Sequence, residues 1–250
     1  MKAEQILFST IAADARAVAE RYGAGLEIAE FCTAYNMDTG FAEADEAVGR
    51  KLVRCAAPVL HGPFNELFPC AIDPLARELA GKRYRQAAVL SRRYGCRMLV
   101  LHGGYNPRLY YPVWYTAESV KFWREFLRED PGAVICLENV FEETPEMLLE
   151  IAEGVNDARL RLCLDVGHVN AYSDVPVETW LRILAPHISH FHIHSNAGDA
   201  DTHSAPGEGS VDVEAIMDLA DRLCPEATFT MEVMQAAEAA RWLSEKGFFK

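Results

Sequence analysis

"MLVLHGGYNPRLYYPVWYTAESVKFWREFLREDPGAVICLEN", residues 98–139, carries the pattern from which the fold is read. A β-rich apolar run (98–103) gives way to a loop marked by glycine and proline. A stretch of helical spacing follows near 117–130, and a second β-rich run returns at 133–139. Two such runs joined by a helix imply parallel strands and a crossover, since a tight hairpin joins only antiparallel strands. The unit repeats outward on both sides. Upstream lie "ILFS" (6–9), "LEIAEF" (26–31) and "PVLHG" (58–62); downstream lie "LRLCLDVGH" (160–168), "ISHFHIH" (188–194) and "TFTMEV" (228–233).

Helical stretches are expected near 14–22, 43–56, 74–94, 117–130, 145–155, 176–185, 213–223 and 236–246, several opened by Asp-Pro, Thr-Pro or Val-Pro. Eight strand–helix units in 250 residues predict an α/β fold, a single (β/α)8 TIM barrel of parallel strands forming one domain over 1–250. An open doubly wound sheet would need a glycine-rich phosphate loop after an early strand, and no G-x-G-x-x-G or Walker-type sequence is present.

Half the residues are apolar, enough for one large core. The net charge of −13 favours solubility and argues against a nonspecific grip on nucleic acid, which needs clustered Lys and Arg. No run of about 18 apolar residues occurs, and the N-terminal segment lacks the features of a secretory signal, so a cytoplasmic protein without membrane contact is expected. Seven cysteines without a C-x-x-C pair suit reduced packing residues better than a disulfide framework.

In such a barrel the chemistry sits where the strands end at their C-termini. There the sequence places His61, His102, Glu138, Asp165 followed by His168, His192 and Glu232 on six consecutive strands. Taken singly, a His after a strand is usually a hydrogen-bonded loop residue and a carboxylate usually a helix cap. Their convergence on one rim changes that reading. Glu138 follows "AVICL" and Glu232 follows "TFTM", where an unpaired carboxylate is costly to bury unless a cation offsets it. Gly167 is expected to bend the chain so that Asp165 and His168 reach one centre. Asp201 and His203, two apart, share a side if their segment is extended. The same period aligns His190, His192 and His194, and register alone does not choose between them.

The segments "HGPF", "LHGGY", "CLENV", "LDVGH", "FHIHSN", "DADTH", "GEG" and "MEV", spanning His61 to Glu232, resemble the xylose isomerase-like superfamily, which holds sugar isomerases and epimerases and the endonuclease IV family of AP endonucleases. The resemblance implies a shared divalent metal on Glu138, Asp165, His192 and Glu232. It chooses His192 from the three histidines and leaves His187 and His190 structural. In the endonuclease IV branch three zinc ions use further ligands, matched here by His61 and His102 beside Glu138, and by His168, Asp201 and His203. The candidate substrate-binding residues are Phe64, Tyr105, Trp114, Asn139 and His194, and "GEG" reads as a turn.

Two chemistries fit this rim. With one ion (Mn, Mg, Co or Zn), the resemblance implies isomerisation or epimerisation of a small carbohydrate or sugar phosphate through a metal-stabilised enediolate. Glu138 and Glu232 would be the acid/base pair, and His168 would hold a hydroxyl. With two or three zinc ions, it implies a phosphodiesterase in which Glu138 bridges metals. Against DNA stand five acidic residues (Glu30, Asp38, Glu43, Asp45 and Glu46) with no Lys or Arg among positions 30–46, and a strand-four loop with Arg108 alone basic. Against a ketose epimerase, no arginine occurs between Ser189 and Arg222. The small-molecule reading leads. A barrel that binds metal without turnover is a third reading, and a homo-oligomer is compatible with each.

Overall fold

The strands β1 (Ile6–Ser9), β2 (Gly25–Ile28), β3 (Val59–His61), β4 (Met98–His102), β5 (Val134–Glu138), β6 (Leu160–Asp165), β7 (Ile188–Ile193) and β8 (Thr228–Met231) close into a parallel barrel in chain order, with β8 returning to β1. This is a computed structural model, and it describes residues 2–56 and 58–249. The helices are α1 (Ala15–Tyr22), α2 (Ala34–Met37), α3 (Phe41–Lys51), α4 (Pro74–Tyr94), α5 (Pro112–Phe126), α6 (Pro145–Val155), α7 (Val166–Tyr172), α8 (Val177–Leu184), α9 (Val213–Leu223) and α10 (Ala236–Glu245). None among the described residues is long and apolar enough to cross a membrane.

Two expected boundaries move for local reasons. The helix expected near 117–130 begins at Pro112, because proline has no N–H to leave unpaired in a first turn, and it ends at Phe126. The run 160–168 is not one strand. Asp165 ends β6 and caps α7, its Oδ1 accepting from the His168 N–H at 2.6 Å.

The side-chain period of two sorts each strand into an outer and an inner face. Outward residues such as Phe8, Leu26, Leu60, Leu99, Ile135 and Leu162 join the helices' Tyr84, Trp123 and Trp180 in the main core. The inner set Leu7, Val59, Val100, Cys136 and Cys163 forms a separate apolar cluster inside the barrel. One inner layer higher on the same faces lie Ser9, His61, His102, Glu138, Asp165, His192 and Glu232. The strands therefore end in polar groups resting on an apolar plug. Between β6 and β7 the register shifts from Leu162 opposite Ile188 to Cys163 opposite His190, so Ser189 is skipped and the upper half of β7 turns His190 and His192 inward.

Six of the seven cysteines are buried and all seven are free thiols, as the sequence suggests.

Candidate metal centre at the barrel mouth

The polar layer at the strand ends is organised by His192. Its Nδ1 lies 2.9 Å from Glu138 Oε1, 3.1 Å from Glu232 Oε2 and 3.6 Å from Asp165 Oδ2. One ring nitrogen carries at most one proton, so three carboxylate oxygens around it outnumber the hydrogen bonds it can make. Donor atoms bonded at about 2.0–2.2 Å to a common ion stand roughly 3.4 Å apart, which matches these separations. The donor set of imidazole and carboxylate suits a divalent cation, and the four residues fit one.

Glu138 turns its second oxygen to a neighbouring cluster. Oε2 lies 3.2 Å from His61 Nε2 and 3.1 Å from His102 Nε2, yet it is buried and accepts no hydrogen bond of ordinary geometry. His61 Nδ1 is committed to the Gly62 carbonyl at 2.9 Å, which leaves Nε2 directed at the site. Lone pairs converging without hydrogen bonds are what ligands of a second cation look like. A third cluster forms where His168 Nε2 and His203 Nε2 each lie 3.2 Å from Asp201 Oδ2, while Asp201 Oδ1 has no hydrogen-bond partner.

Electrostatics show the same demand for positive charge. Burial opposes ionisation of Glu138 and Asp165, but His192 and His102 beside the first and His168 and His194 beside the second hold both carboxyls well below their usual range. Burial likewise opposes charge on His168 and His203, yet Asp165 and Asp201 around the first and Asp201 and Glu232 around the second push them up to about 10 and about 9.

Above these clusters opens a cavity of about 660 Å3. Glu138, Glu232, His61, His102, His168, Asp201 and His203 border it, whereas Asp165 and His192 lie beneath. Phe64, Phe68, Tyr105, Phe141 and Tyr172 provide aromatic walls, and among the described residues no lysine or arginine lines it.

All nine expected ligands are thus brought together, but three details of the sequence reading change. Gly167 is not a bend: it lies in the first turn of α7, and a Cβ there would stand 2.0 Å from His194 Cε1, so the glycine makes room for that ring. Asp201 and His203 do not share a side by being extended, since His203 has a left-handed backbone, φ +48°, and still brings Nε2 to 3.2 Å from Asp201 Oδ2. The acidic segment after β2 is less repulsive than counted, because Glu30 pairs with Lys51, Asp38 with Arg83, Asp45 with Arg93 and Glu46 with Arg50.

Of the expected substrate-binding residues, Phe64 and Tyr105 line the cavity. Trp114 does not; its indole N–H donates to the Cys70 carbonyl at 2.8 Å and ties the loop after β3 to α5. Asn139 braces Asp165, donating to its carbonyl and accepting its N–H at 2.9 and 2.8 Å. His194 is fully buried beside Asp165, 3.1 Å from both carboxylate oxygens, and stacks on His203 at 4.4 Å. Gly207 and Gly209 have positive φ, in keeping with a turn at "GEG". Cys32 lines the cavity and Cys163 lies in the apolar plug.

Two buried carboxylates lie outside the set the sequence singles out. Glu27 on β2 contacts His190 and His192 inside the barrel. Glu142 accepts from the Tyr115 hydroxyl and the Val140 N–H at 2.5 and 2.6 Å. Glu27 sits in "LEIAEF" among apolar residues, the same signal that marks Glu138, but it lies in mid-strand, away from the strand ends where the chemistry of a barrel is expected.

Among curated proteins, the chain is 28% identical over 199 residues to an uncharacterised protein of Methanocaldococcus jannaschii, covering 73% of this chain and 66% of that one. Its matches span 51–66% of the lengths of three curated relatives. Among solved structures it resembles a D-tagatose 3-epimerase-like protein (TM-score 0.80, 22% identity, 99% of this chain and 97% of that one). It also resembles a Thermus thermophilus protein soaked with zinc chloride (TM-score 0.77, 21% identity, 98% of both chains). These likenesses are of fold. The sequence match to the family described as xylose isomerase-like TIM barrel runs over residues 8–246, and the chain belongs to that family.

Proposed function

We propose that the protein is a divalent-metal-dependent enzyme that moves a proton at a carbon beside the carbonyl of a small carbohydrate or sugar phosphate, an isomerisation or epimerisation. The observation that carries this reading is the placing of Glu138 and Glu232. Both border the cavity and approach Nδ1 of His192, while Asp165 and His192 lie beneath them. Two carboxylates at one substrate site can remove a proton from one face and return it to another.

A bound Mn2+, Mg2+, Co2+ or Zn2+ held by Glu138, Asp165, His192 and Glu232 would supply Lewis-acid polarisation of the carbonyl. The chain's own groups do the rest. Glu138 or Glu232 takes the proton and its partner returns it, and His168 holds a hydroxyl at the cavity edge. Aromatic walls present faces to the C–H surfaces of a sugar ring. The volume of about 660 Å3 suits a small ligand, and a lining without lysine or arginine among the described residues speaks against a polyanionic backbone. The likeness in fold to a D-tagatose 3-epimerase-like protein agrees with this class. Deuterium incorporation from heavy water at the alpha carbon of candidate ketoses, with metal-loaded protein, tests it. No exchange across the panel removes the proposal.

A second reading rests on the division of Glu138 between His192 and the His61–His102 pair, together with the separate His168–Asp201–His203 cluster. That division would suit a zinc phosphodiesterase of endonuclease IV type, in which Glu138 with His61 and His102, and His168 with Asp201 and His203, would help hold two or three zinc ions that polarise a phosphodiester. Cleavage of abasic-site DNA, absent with Glu138→Gln, would support it over the first. A barrel that binds metal without turnover follows if both assays stay silent.

A further inference from the structure

We propose that Glu27 is a positioning residue that fixes His192 as a cation ligand and raises the affinity of the core site for a divalent cation. It would act through a buried hydrogen-bond chain running Thr228, His190, Glu27, His192. The proposal rests on the cation-binding reading above, but not on which reaction the site performs.

The chain can be followed donor by donor. His190 Nδ1 lies 2.6 Å from Thr228 Oγ1, and His190 Nε2 lies 3.0 Å from Glu27 Oε2. The Thr230 hydroxyl donates to the same Oε2 at 2.5 Å. Glu27 Oε1 stands 3.1 Å from His192 Nε2. A carboxylate only accepts, so each nitrogen facing it carries the hydrogen. His190 then presents its Nε2–H to Glu27 and accepts the Thr228 hydroxyl hydrogen at Nδ1. His192 likewise presents its Nε2–H to Glu27; its Nδ1 faces Glu138 at 2.9 Å, and a cation bound there would take the place of the Nδ1 hydrogen and meet a lone pair while Glu27 holds the hydrogen on Nε2. Nδ1 faces the point shared by Glu138, Asp165 and Glu232.

Burial makes the arrangement consequential. Glu27 is 1% exposed, and His190, His192 and Thr230 are fully buried. No lysine or arginine within the described residues pairs with Glu27; its ion-pair partners are the two histidines. A buried carboxylate beneath the ligand ring both orients the imidazole and makes its outward nitrogen a better donor to a cation. The apolar plug beside it, Val100, Cys136 and Cys163 among others, keeps the local dielectric low and the effect of the charge large.

The test uses the full chain and zinc alone. Zinc affinity is measured by competition with a chromophoric chelator, and the protonation of ring nitrogens is read by 15N NMR of the zinc-loaded protein. The near-isosteric Glu27→Gln is expected to weaken zinc binding by ~10–100-fold and to alter the Nε2–H signal of His192. Thr230→Val, which removes one donor to Glu27 and keeps the shape, is expected to weaken it less and in the same direction. Folded Glu27→Gln that binds zinc within about twofold of wild type, with the ring signal unchanged, overturns the inference. If Glu27→Gln does not fold, wild-type affinity in Thr230→Val overturns it. A wild-type chain that binds no zinc removes the function proposed above as well, so the two failures are distinguishable.

Discussion

Gly167→Ala tests how tightly the site is built, because two ordinary effects predict opposite signs for it. Gly167 lies in the first turn of α7 without a positive φ, so on helix propensity alone alanine should stabilise by about 0.5–1 kcal/mol. The structure predicts loss. The new Cβ would stand 2.0 Å from Cε1, 2.4 Å from Nδ1 and 2.5 Å from Nε2 of His194. The ring would have to retreat by roughly 1.5 Å to reach ordinary carbon contact at ~3.5 Å. It has nowhere easy to go, being stacked on His203 at 4.4 Å and held by Asp165 at 3.1 Å. Overpacking of this kind costs ~1–3 kcal/mol, which exceeds the propensity gain. For a chain of this size, thermal unfolding of the cation-free protein followed by circular dichroism should then fall by roughly 2–8 °C. Zinc binding should weaken too, since the displaced ring moves Asp165 and His203. An unchanged or raised midpoint would refute the claim that His194 is locked against α7.

Elemental analysis of protein purified without added metal should give about one divalent ion per chain for the isomerase chemistry and two or three zinc ions for the hydrolase; a value near zero after gentle purification removes both. His203→Ala should leave a one-metal isomerase largely active and disable a multinuclear hydrolase, whereas Glu232→Gln should damage either, as turnover assays on both substrate classes would report. Asp73 caps α4 by accepting the Leu75 N–H at 2.9 Å, so Asp73→Ala should cost ~0.5–2 kcal/mol in denaturant unfolding without changing metal content. Asp157 is lowered to about 2 by the hydrogen bonds and charge of Arg159. A depressed carboxyl stabilises above its unfolded value of 3.8 and loses that contribution as pH falls through about 2. Asp157→Asn should therefore lower stability at pH 7 and match wild type near pH 2, by a small amount because the pair is partly exposed.

The barrel was legible because each strand is short, apolar and punctuated, and because eight of them alternate with helices. Much of the candidate site was legible because most of the residues proposed as ligands stand at strand ends, where position in the sequence translates directly into height on the rim. What lay beyond reach depended on side chains meeting across the barrel. Glu27 and His190 sit on β2 and β7, with nothing in their local sequence to announce the partnership. The role of Gly167 required knowing that His194 passes over α7. Trp114 looked like a substrate contact because aromatic residues cluster in its loop, but one hydrogen bond to Cys70 turns it toward the frame. The acidic segment after β2 looked unneutralised because its cationic partners, Arg50, Lys51, Arg83 and Arg93, come from beyond it.

Strand β7 and the residue that follows it set His190, His192 and His194 at alternate positions, about 6.6 Å apart in an extended chain. Each meets its own set of carboxylates: His190 meets Glu27, His192 meets Glu27, Glu138, Glu232 and Asp165, and His194 meets Asp165 and Asp201. The strand therefore acts as a ruler with three marks, and its scale cannot slip. Inserting or deleting a single residue above Ser189 would swing Phe191 and Ile193 inward and carry all three imidazoles out together. Gradual change in this part of the molecule is open to substitution but closed to length variation. Indels are far better tolerated in the loop that follows, up to the point where Asp201 and His203 must return to the rim.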